Sequence, residues 1–263
     1  MQTKETSGIP RKGLLLDTTQ CIGCGACMDA CKRENNLPPE KDDKLSFENY
    51  TVVQKYGDHY VRKLCMHCEI PTCVSVCPVG ALSKRESGAV VWDEKKCFGC
   101  RYCMLSCPFQ VPTFEWHSYN PRIRKCILCY PRIEAGRPTA CAEACPTEAT
   151  LFGDRDTLIG VASERIKAYS QKYENHLLGL TEVGGTSVMY LSAIPFDELG
   201  FSKDIFQRPL SEFTWRILEH VPNIVMLGAW VLGGFYWIYR RRTIVQATEG
   251  KSAGIQSPEK GGH

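Results

Sequence analysis

The sixteen cysteines of this 263-residue chain divide without remainder into four sets that share one spacing pattern. The third set, from Cys97 to Pro108, reads C-x₂-C-x₂-C-x₃-C-P, the run by which bacterial ferredoxins hold [4Fe–4S] clusters. Three thiolates so closely spaced can wrap one cubane, and the fourth points towards a neighbouring cluster. Gly99 has no Cβ and suits a loop that passes close to inorganic sulfide. Pro108 is expected to stop the helical turn that carries Cys107.

The other three sets are variants of the same run, so the sequence predicts four [4Fe–4S] clusters. The first set keeps the spacing, whereas the second widens its middle gap to four residues and the fourth widens it to eleven. The first set comprises Cys21, Cys24, Cys27 and Cys31; the second comprises Cys65, Cys68, Cys73 and Cys77; and the fourth comprises Cys126, Cys129, Cys141 and Cys145.

Two other uses of cysteine account less well for this pattern. A disulfide scaffold is usual in much shorter secreted chains, and here it would close very small loops. Zinc is the stronger alternative, because Cys₄ zinc sites also contain C-x₂-C pairs, and the fourth set alone resembles a zinc ribbon. Zinc sites do not need the longer C-x₂-C-x₂-C-x₃-C-P run, so iron–sulfur clusters are the favoured prediction.

Short apolar runs between the cysteine sets predict the strands of an α+β fold. We expect a strand after each of the last two sets, a hairpin after the second, and a hairpin with a Gly57–Asp58 turn before it. This order predicts tandem ferredoxin-like modules over residues 1–155. The predicted strands cover residues 13–17, 50–55, 59–64, two arms within 81–92, 114–116 and 150–152.

Residues 156–212 differ in character and are predicted to form an extension that packs on the cluster domain. Asp156 is the expected N-cap of a helix that runs to Tyr173, because apolar residues recur there at helical spacing. A strand is expected over residues 186–194.

Residues 213–240 are predicted to be a single C-terminal transmembrane helix that anchors the chain in membrane lipid. Residues 221–239 carry no charge, and nineteen residues at helical rise just cover a hydrocarbon core of about 30 Å. The run Arg240–Arg242 favours a cytoplasmic C-terminus, with the cluster domain on the periplasmic side of the inner membrane. No signal peptide is visible, so this orientation requires export together with a partner that carries the signal. Residues 241–263 are expected to be a disordered polar tail.

Charge is consistent with a redox role for the cluster domain. Four oxidised clusters, at about −2 each with their cysteines, take the formal net charge from +3 to about −5. Basic residues beside every set would raise cluster potentials, although each is equally well explained as solvated surface charge. Nucleic acid is not an expected partner, because these residues are interleaved with the cluster loops. They are Lys32, Arg33, Arg62, Lys63, Lys95, Lys96, Arg101, Arg124 and Lys125.

The order of the four sets and the C-terminal span together resemble a known family. Three stretches carry the resemblance further: CVSVCP at Cys73–Pro78, GCRYC at Gly99–Cys103 and VGGTSVMYL at Val183–Leu191. The family is the four-cluster iron–sulfur (beta) subunit of membrane-bound respiratory oxidoreductases. Its most similar members are the iron–sulfur subunit of hydrogenase-2-type uptake [NiFe] hydrogenases and the beta subunit of membrane-bound formate dehydrogenase. The resemblance covers roughly residues 10–240.

The resemblance implies a non-catalytic electron-transfer subunit of a larger oxidoreductase. Its partners would be a catalytic subunit, with an uptake [NiFe] hydrogenase favoured, and an integral membrane cytochrome b or quinone-reactive subunit. A formate dehydrogenase or another molybdopterin oxidoreductase is the alternative within the family. A membrane-tethered zinc-binding scaffold is the alternative from another class.

The resemblance also implies that paired sets exchange their fourth cysteines. The first and fourth sets would share two clusters, and the second and third sets would share the other two. The implied ligands are Cys21, Cys24, Cys27 and Cys145 for cluster 1; Cys126, Cys129, Cys141 and Cys31 for cluster 2; Cys65, Cys68, Cys73 and Cys107 for cluster 3; and Cys97, Cys100, Cys103 and Cys77 for cluster 4.

Two histidines lie where a metal ligand is conceivable. His67 stands inside the first C-x₂-C pair of the second set, where four cysteines already suffice, so it is interpreted as a spacer. His220 begins the apolar span, where an interfacial polar residue is favoured over a haem ligand. No nucleotide fingerprint or catalytic triad accompanies them in the sequence, so the chain is expected to have no catalytic residues of its own.

Overall fold

The computed structural model describes residues 11–203 and 205–253. The described residues up to Ser211 form one compact unit, and those from Glu212 onwards form a second. The helices are α1 Ala26–Glu34, α2 Thr72–Ser75, α3 Tyr102–Leu105, α4 Tyr130–Glu134, α5 Ala140–Glu143, α6 Arg155–Ala168, α7 Leu210–Leu218 and α8 Val221–Ala253. The strands are β1 Lys12–Asp17, β2 Val52–Tyr56, β3 His59–Lys63, β4 Leu82–Lys84, β5 Val90–Trp92, β6 Thr113–Phe114, β7 Ile123–Arg124, β8 Thr150–Asp154 and β9 Val188–Leu191.

A three-stranded sheet in the order β8-β1-β9 forms one wall of the cluster domain. Strand β1 pairs antiparallel with β8 and parallel with β9, so segments far apart in the sequence meet at the first strand. The remaining strands form three separate hairpins, β2-β3, β4-β5 and β6-β7. The tandem ferredoxin-like α+β fold predicted from the sequence is confirmed.

The sheet separates two parts of the core because its side chains alternate between two faces. Leu14 and Leu16 of β1 belong to the large core that contains cluster-motif cysteines, whereas Leu15 between them packs with Leu158 and Ala162 of α6. Strand β9 repeats this alternation over four buried residues. Helix α6 therefore covers the face of the sheet that points away from the cysteines.

The start of α6 corrects one prediction. The N-cap is Asp154 and not Asp156, and the helix ends at Ala168 before the predicted Tyr173. Strand β8 runs directly to Asp154, and the backbone N–H of Arg155 donates to the carbonyl of Arg11 at 2.7 Å. Helical backbone therefore begins one residue after the strand ends, and the Asp156 side chain is exposed.

The C-terminal helical stretch is long and apolar enough to cross a membrane, and α8 contains the uncharged residues 221–239. The anchor predicted as one helix over residues 213–240 is divided, because α7 ends at Leu218 and α8 begins at Val221. The apolar side chains of α8 are exposed, including Trp230 and Leu232.

Helix α8 does not end at the arginines but continues to Ala253, so the expectation of a disordered tail is wrong for residues 241–253. Extending an existing helix needs no new nucleation, and Ala, Gln and Glu are good helix formers. The rest of that predicted tail, residues 254–263, lies outside the described residues.

Candidate iron–sulfur centres

The four cysteine motifs share a backbone bend that the sequence displays at only two of them. The residue before the second cysteine has a positive φ in every motif, which turns the loop so that its cysteines can face one side. At Gly99 this φ is +76°, and an added Cβ would lie 2.6 Å from the carbonyl oxygen of Pro121. The equivalent residues are Gly23 (φ +70°), His67 (φ +49°) and Leu128 (φ +56°).

A short helix precedes the last cysteine of each of the later motifs. Helix α3 ends at Leu105, so Cys107 lies just beyond the helix rather than within it. The prediction that Pro108 stops a helical turn carrying Cys107 is therefore wrong, because the helix has already ended before Cys107. The carbonyl oxygen of each of these last cysteines then accepts a hydrogen bond from the backbone N–H of the residue three positions later in the chain. Those donors are Gly80, Gln110 and Glu148, each with a positive φ.

The motif helices pack in two pairs. Helix α1 of the first motif packs against α5 of the fourth, and α2 of the second motif packs against α3 of the third. Each pair of motifs therefore shares one side of the domain, and cysteines from distant segments come together.

Three cavities are each bordered by four cysteines drawn from two motifs. Their atom-free spaces, including the part open to solvent, are about 450, 360 and 390 Å³. In each one, a fourth-position cysteine lies with cysteines of the partner motif. The groups are Cys21, Cys24, Cys27 and Cys145; Cys31, Cys126, Cys129 and Cys141; and Cys77, Cys97, Cys100 and Cys103.

The remaining four cysteines are electrostatic neighbours of one another. Burial is the main cause that raises the pKa of Cys68 well above its usual range, and Cys65, Cys107 and Cys73 raise it further. Cys73 has its pKa raised to about 12, first by burial and then by Cys65 and Cys107. The structure thus brings Cys107 of the third motif to the cysteines of the second.

These groups suit a cluster better than a single ion. Within residues 11–203 and 205–253, no three His, Cys, Asp or Glu side chains close around one metal ion. Four thiolates that bind one zinc ion each lie about 2.3 Å from it and are therefore close to one another. Thiolates that bind the four corners of a cubane are farther from one another. None of the sixteen cysteines, all of which lie within residues 21–145, is in a disulfide.

Two 4Fe-4S dicluster domain family models match the chain, one over residues 57–155 and the other over residues 20–81. The Hydrogenase-2 operon protein HybA of Escherichia coli O157:H7 is 34% identical over 280 residues, covering 88% of this chain and 84% of that protein. The chain belongs to the family of iron–sulfur subunits that contain 4Fe-4S dicluster domains. Its sixteen cysteines and two dicluster domains fit four [4Fe–4S] clusters.

Two further relatives of this iron–sulfur subunit come from other complexes. The menaquinone reductase iron-sulfur cluster-binding subunit of Nitratidesulfovibrio vulgaris is 37% identical over 190 residues, covering 54% of this chain and 74% of that protein. The formate dehydrogenase-O iron-sulfur subunit of Escherichia coli K12 is 34% identical over 197 residues, covering 67% of this chain and 65% of that protein.

Three buried nitrogen donors, on two side chains, test whether clusters fit these sites. Nε and Nη2 of Arg62 and Nε2 of His67 have no hydrogen-bond partner within the part of the chain that the structure describes. His67 Nδ1 accepts the Val90 N–H at 2.9 Å, which assigns the ring hydrogen to Nε2. Buried donors are expensive to leave unpaired, and clusters supply sulfide and thiolate acceptors. The unpaired nitrogens of Arg62 and His67 therefore fit sites that hold [4Fe–4S] clusters.

Hydrogen bonds from the chain also reach several cysteine sulfurs. The backbone N–H of Ala81 donates to Cys77 Sγ at 3.2 Å, and that of Leu128 donates to Cys126 Sγ at 3.4 Å. Burial raises the pKa of Cys145, but hydrogen bonds from the Thr150 backbone and from Thr147 outweigh it and lower the pKa below its usual range. Such bonds stabilise the thiolate form that binds iron.

The basic residues beside the motifs range from buried to exposed, which the sequence could not foresee. Arg33 and Arg101 are exposed, as ordinary surface charge would be. Lys32, Arg62 and Lys125 are buried, and Lys125 Nζ donates to the carbonyl of Cys126 at 2.8 Å. Sequence reasoning named Arg62 only as one of several basic residues beside the motifs, and its burial in strand β3 is what sets it apart.

The two histidines have different surroundings. His67 is fully buried, and it occupies the position that glycine takes in the first and third motifs. Burial is the main cause that lowers its pKa well below the usual range. His220 lies between α7 and α8 with its side chain exposed and Nε2 3.8 Å from Glu219.

Proposed function

We propose that this subunit relays electrons between the catalytic subunit of an uptake [NiFe] hydrogenase and a cytochrome b or quinone-reactive subunit in the membrane. The observation that carries the proposal is the gathering of sixteen cysteines into four groups of four, each built from two motifs. When bound, [4Fe–4S] clusters accept and donate single electrons. The chain contributes the thiolates, fixes the cluster positions and shields the sites from water.

We further propose the ligand sets that the groups suggest. Exchange of fourth cysteines locks each pair of clusters with ligands from two distant segments, so that their separation is fixed by the fold. The proposed sets are Cys21, Cys24, Cys27 and Cys145; Cys126, Cys129, Cys141 and Cys31; Cys65, Cys68, Cys73 and Cys107; and Cys97, Cys100, Cys103 and Cys77.

Metal content decides between this proposal and a zinc-binding scaffold. The purified full-length protein is expected to contain about sixteen irons with matching sulfide, to be brown, and to give EPR signals on reduction. Zinc in place of iron, with a colourless and EPR-silent sample, would contradict the electron-relay function.

The hydrogenase partner is supported by the likeness to HybA and is distinguished from other partners by the reductant. We expect an affinity-purified membrane complex to lose visible iron–sulfur absorbance under H₂ and to remain oxidised with formate. Bleaching by formate alone would favour a formate dehydrogenase, for which the formate dehydrogenase-O relative is the supporting observation. Mass spectrometry of the co-purified subunits gives an independent answer.

For the membrane topology we propose one crossing by α8, with the C-terminus in the cytoplasm and the cluster domain in the periplasm. The support is the length and apolar composition of α8 and the arginines that follow its uncharged stretch. Protease added to intact spheroplasts is expected to digest the cluster domain. Full protection in spheroplasts, with digestion only after lysis, would place that domain in the cytoplasm.

A further inference from the structure

Strand β3 carries one buried arginine towards the cysteines of the first and fourth motifs. Arg62 is 4% exposed, and its backbone carbonyl accepts the Tyr190 hydroxyl at 2.8 Å. Its strand is paired with β2, where Val53 is its partner in the register. The hairpin and the tyrosine therefore fix the point from which this side chain extends.

Only part of the guanidinium is hydrogen-bonded. Nη1 donates to Thr150 Oγ1 at 3.1 Å, whereas Nε and Nη2 form no hydrogen bond of normal geometry among the residues that the structure describes, and the Cys27 sulfur is a neighbour of the guanidinium. A buried charge that lacks partners is costly. The fold keeps Arg62 buried, which indicates that an acceptor belongs beside Nε and Nη2.

Cysteines of two groups surround this guanidinium. Arg62 borders the cavity of Cys21, Cys24, Cys27 and Cys145. Its charge also acts on cysteines of the neighbouring group, Cys141 and Cys126. Burial raises the pKa of Cys27, and the nearby Arg62 opposes that increase. The same cation thus borders the cavity of one proposed cluster and lies within electrostatic reach of cysteines of the other.

We propose that Arg62 sets the reduction potentials of these two clusters together, by donating Nε–H and Nη2–H to their sulfur atoms and holding its charge between them. Reduction of either cluster adds one electron and neither forms nor breaks a bond, so a fixed cation nearby favours the reduced state. Exposed cations do this weakly, because water and salt screen them. This inference rests on the cluster loading proposed above.

The test uses Arg62→Gln and Arg62→Lys in the full-length protein, with Arg33→Gln as the matched control. Arg33 is a cation two residues from Cys31, but it is exposed. Redox titration followed by EPR is expected to show two of the four potentials falling in Arg62→Gln. At a fixed applied potential, the ratio of reduced to oxidised cluster is expected to fall at least tenfold at each of these two clusters. For a one-electron couple this corresponds to a reduction potential lower by 59 mV or more. Arg62→Lys recovers at least half of this shift, and Arg33→Gln leaves all four potentials unchanged.

A measurement on the unmodified sequence tests whether Arg62 contacts the two clusters, and it can be made even if Arg62→Gln does not bind clusters. Protein grown with ¹⁵N-guanidino arginine is expected to show ¹⁵N coupling to two reduced clusters in pulsed EPR, and this coupling is lost in Arg62→Lys. Absence of the coupling, or a fully loaded Arg62→Gln with four unchanged potentials, would overturn the inference. Failure of the unmodified protein to bind iron would instead refute the proposed function.

Discussion

Two cysteines of one motif, only four residues apart, belong to different groups. Cys73 lies with cysteines of its own motif, whereas Cys77 borders a cavity with Cys97, Cys100 and Cys103. Helix α2 ends between them at Ser75, so the chain turns before Cys77 and directs it to the partner motif. The proposed exchange of ligands between motifs therefore depends on the end of this helix before Cys77.

Cys77→Ala is expected to remove the EPR signal of the cluster in the third motif and about four irons. Cys73→Ala serves as the matched control, because it should remove a different signal and leave that cluster intact. Quantitative EPR of the dithionite-reduced proteins, with Cys97→Ala as reference, makes the comparison. Loss of one and the same signal from Cys73→Ala and Cys77→Ala would show that each motif binds its own cluster.

Asp17 at the end of β1 is a buried carboxylate that ties the sheet to α6. It accepts hydrogen bonds from Arg165 Nη1 at 2.9 Å and the Tyr173 hydroxyl at 2.7 Å, and the Thr19 hydroxyl is a further donor. Asp17→Ala leaves these donors unpaired and is expected to cost about 3–5 kcal/mol. Glu94→Ala breaks an exposed pair with Arg122 and should cost no more than about 1 kcal/mol.

Thermal unfolding at one fixed scan rate compares these two variants, with iron content measured before each scan. For a domain of this size, about 1 kcal/mol corresponds to roughly 2–4 °C. Asp17→Ala should therefore unfold well below Glu94→Ala. Equal midpoints for the two variants would mean that the Asp17 network contributes no more than an ordinary surface ion pair.

Strand β1 is the element on which the cluster domain depends, because it is central in the sheet and faces both parts of the core. Gly13 lets β9 approach closely: an added Cβ would lie 2.4 Å from the Ser187 carbonyl oxygen. That oxygen accepts the Leu14 N–H at 2.8 Å, so it cannot retreat without loss of a sheet hydrogen bond.

Gly13→Ala is expected to destabilise the domain by about 1–3 kcal/mol, since the clash is with backbone. Gly160→Ala in α6 is the matched control, because an added Cβ there meets nothing within 4 Å. In a helix interior that change should stabilise by up to about 1 kcal/mol. Opposite shifts of the unfolding midpoint are therefore predicted, and a shift of the same sign in both variants would contradict the packing at β9.

Local pattern and long-range packing explain which elements the sequence could predict. The cysteine spacing is local, so four clusters could be predicted from it, and the apolar run before the first motif predicted β1. No local signal says that β9 pairs parallel with β1 across more than 170 residues. Likewise, Arg33 and Arg62 look alike as basic residues beside motifs, and only the fold buries one and exposes the other.

The membrane segment was predictable in kind but not in extent. Absence of charge over residues 221–239 is a composition signal, whereas the end of α8 depends on helix continuation beyond the arginines. The basic residues Arg240–Arg242 therefore lie within the helix and not at its terminus. In the proposed crossing, a helix that continues past the apolar stretch would place these arginines at the membrane surface, where anionic lipid headgroups favour positive charge.

Removal of residues 212–263 is the change that separates anchoring from cluster binding. The described residues up to Ser211 form a compact unit that contains all sixteen cysteines, so the truncated protein is expected to keep about sixteen irons. Expressed without partner subunits, it should appear in the soluble fraction, whereas the full chain stays in membranes washed at high pH and leaves only with detergent.

Leu232→Arg in the middle of the uncharged stretch is the control in the full chain, because arginine at a helix centre disfavours insertion by about 2.5–3.5 kcal/mol. If the truncated protein still resists the alkaline wash, a surface other than α8 holds this subunit to the membrane, and the single-crossing topology loses its support.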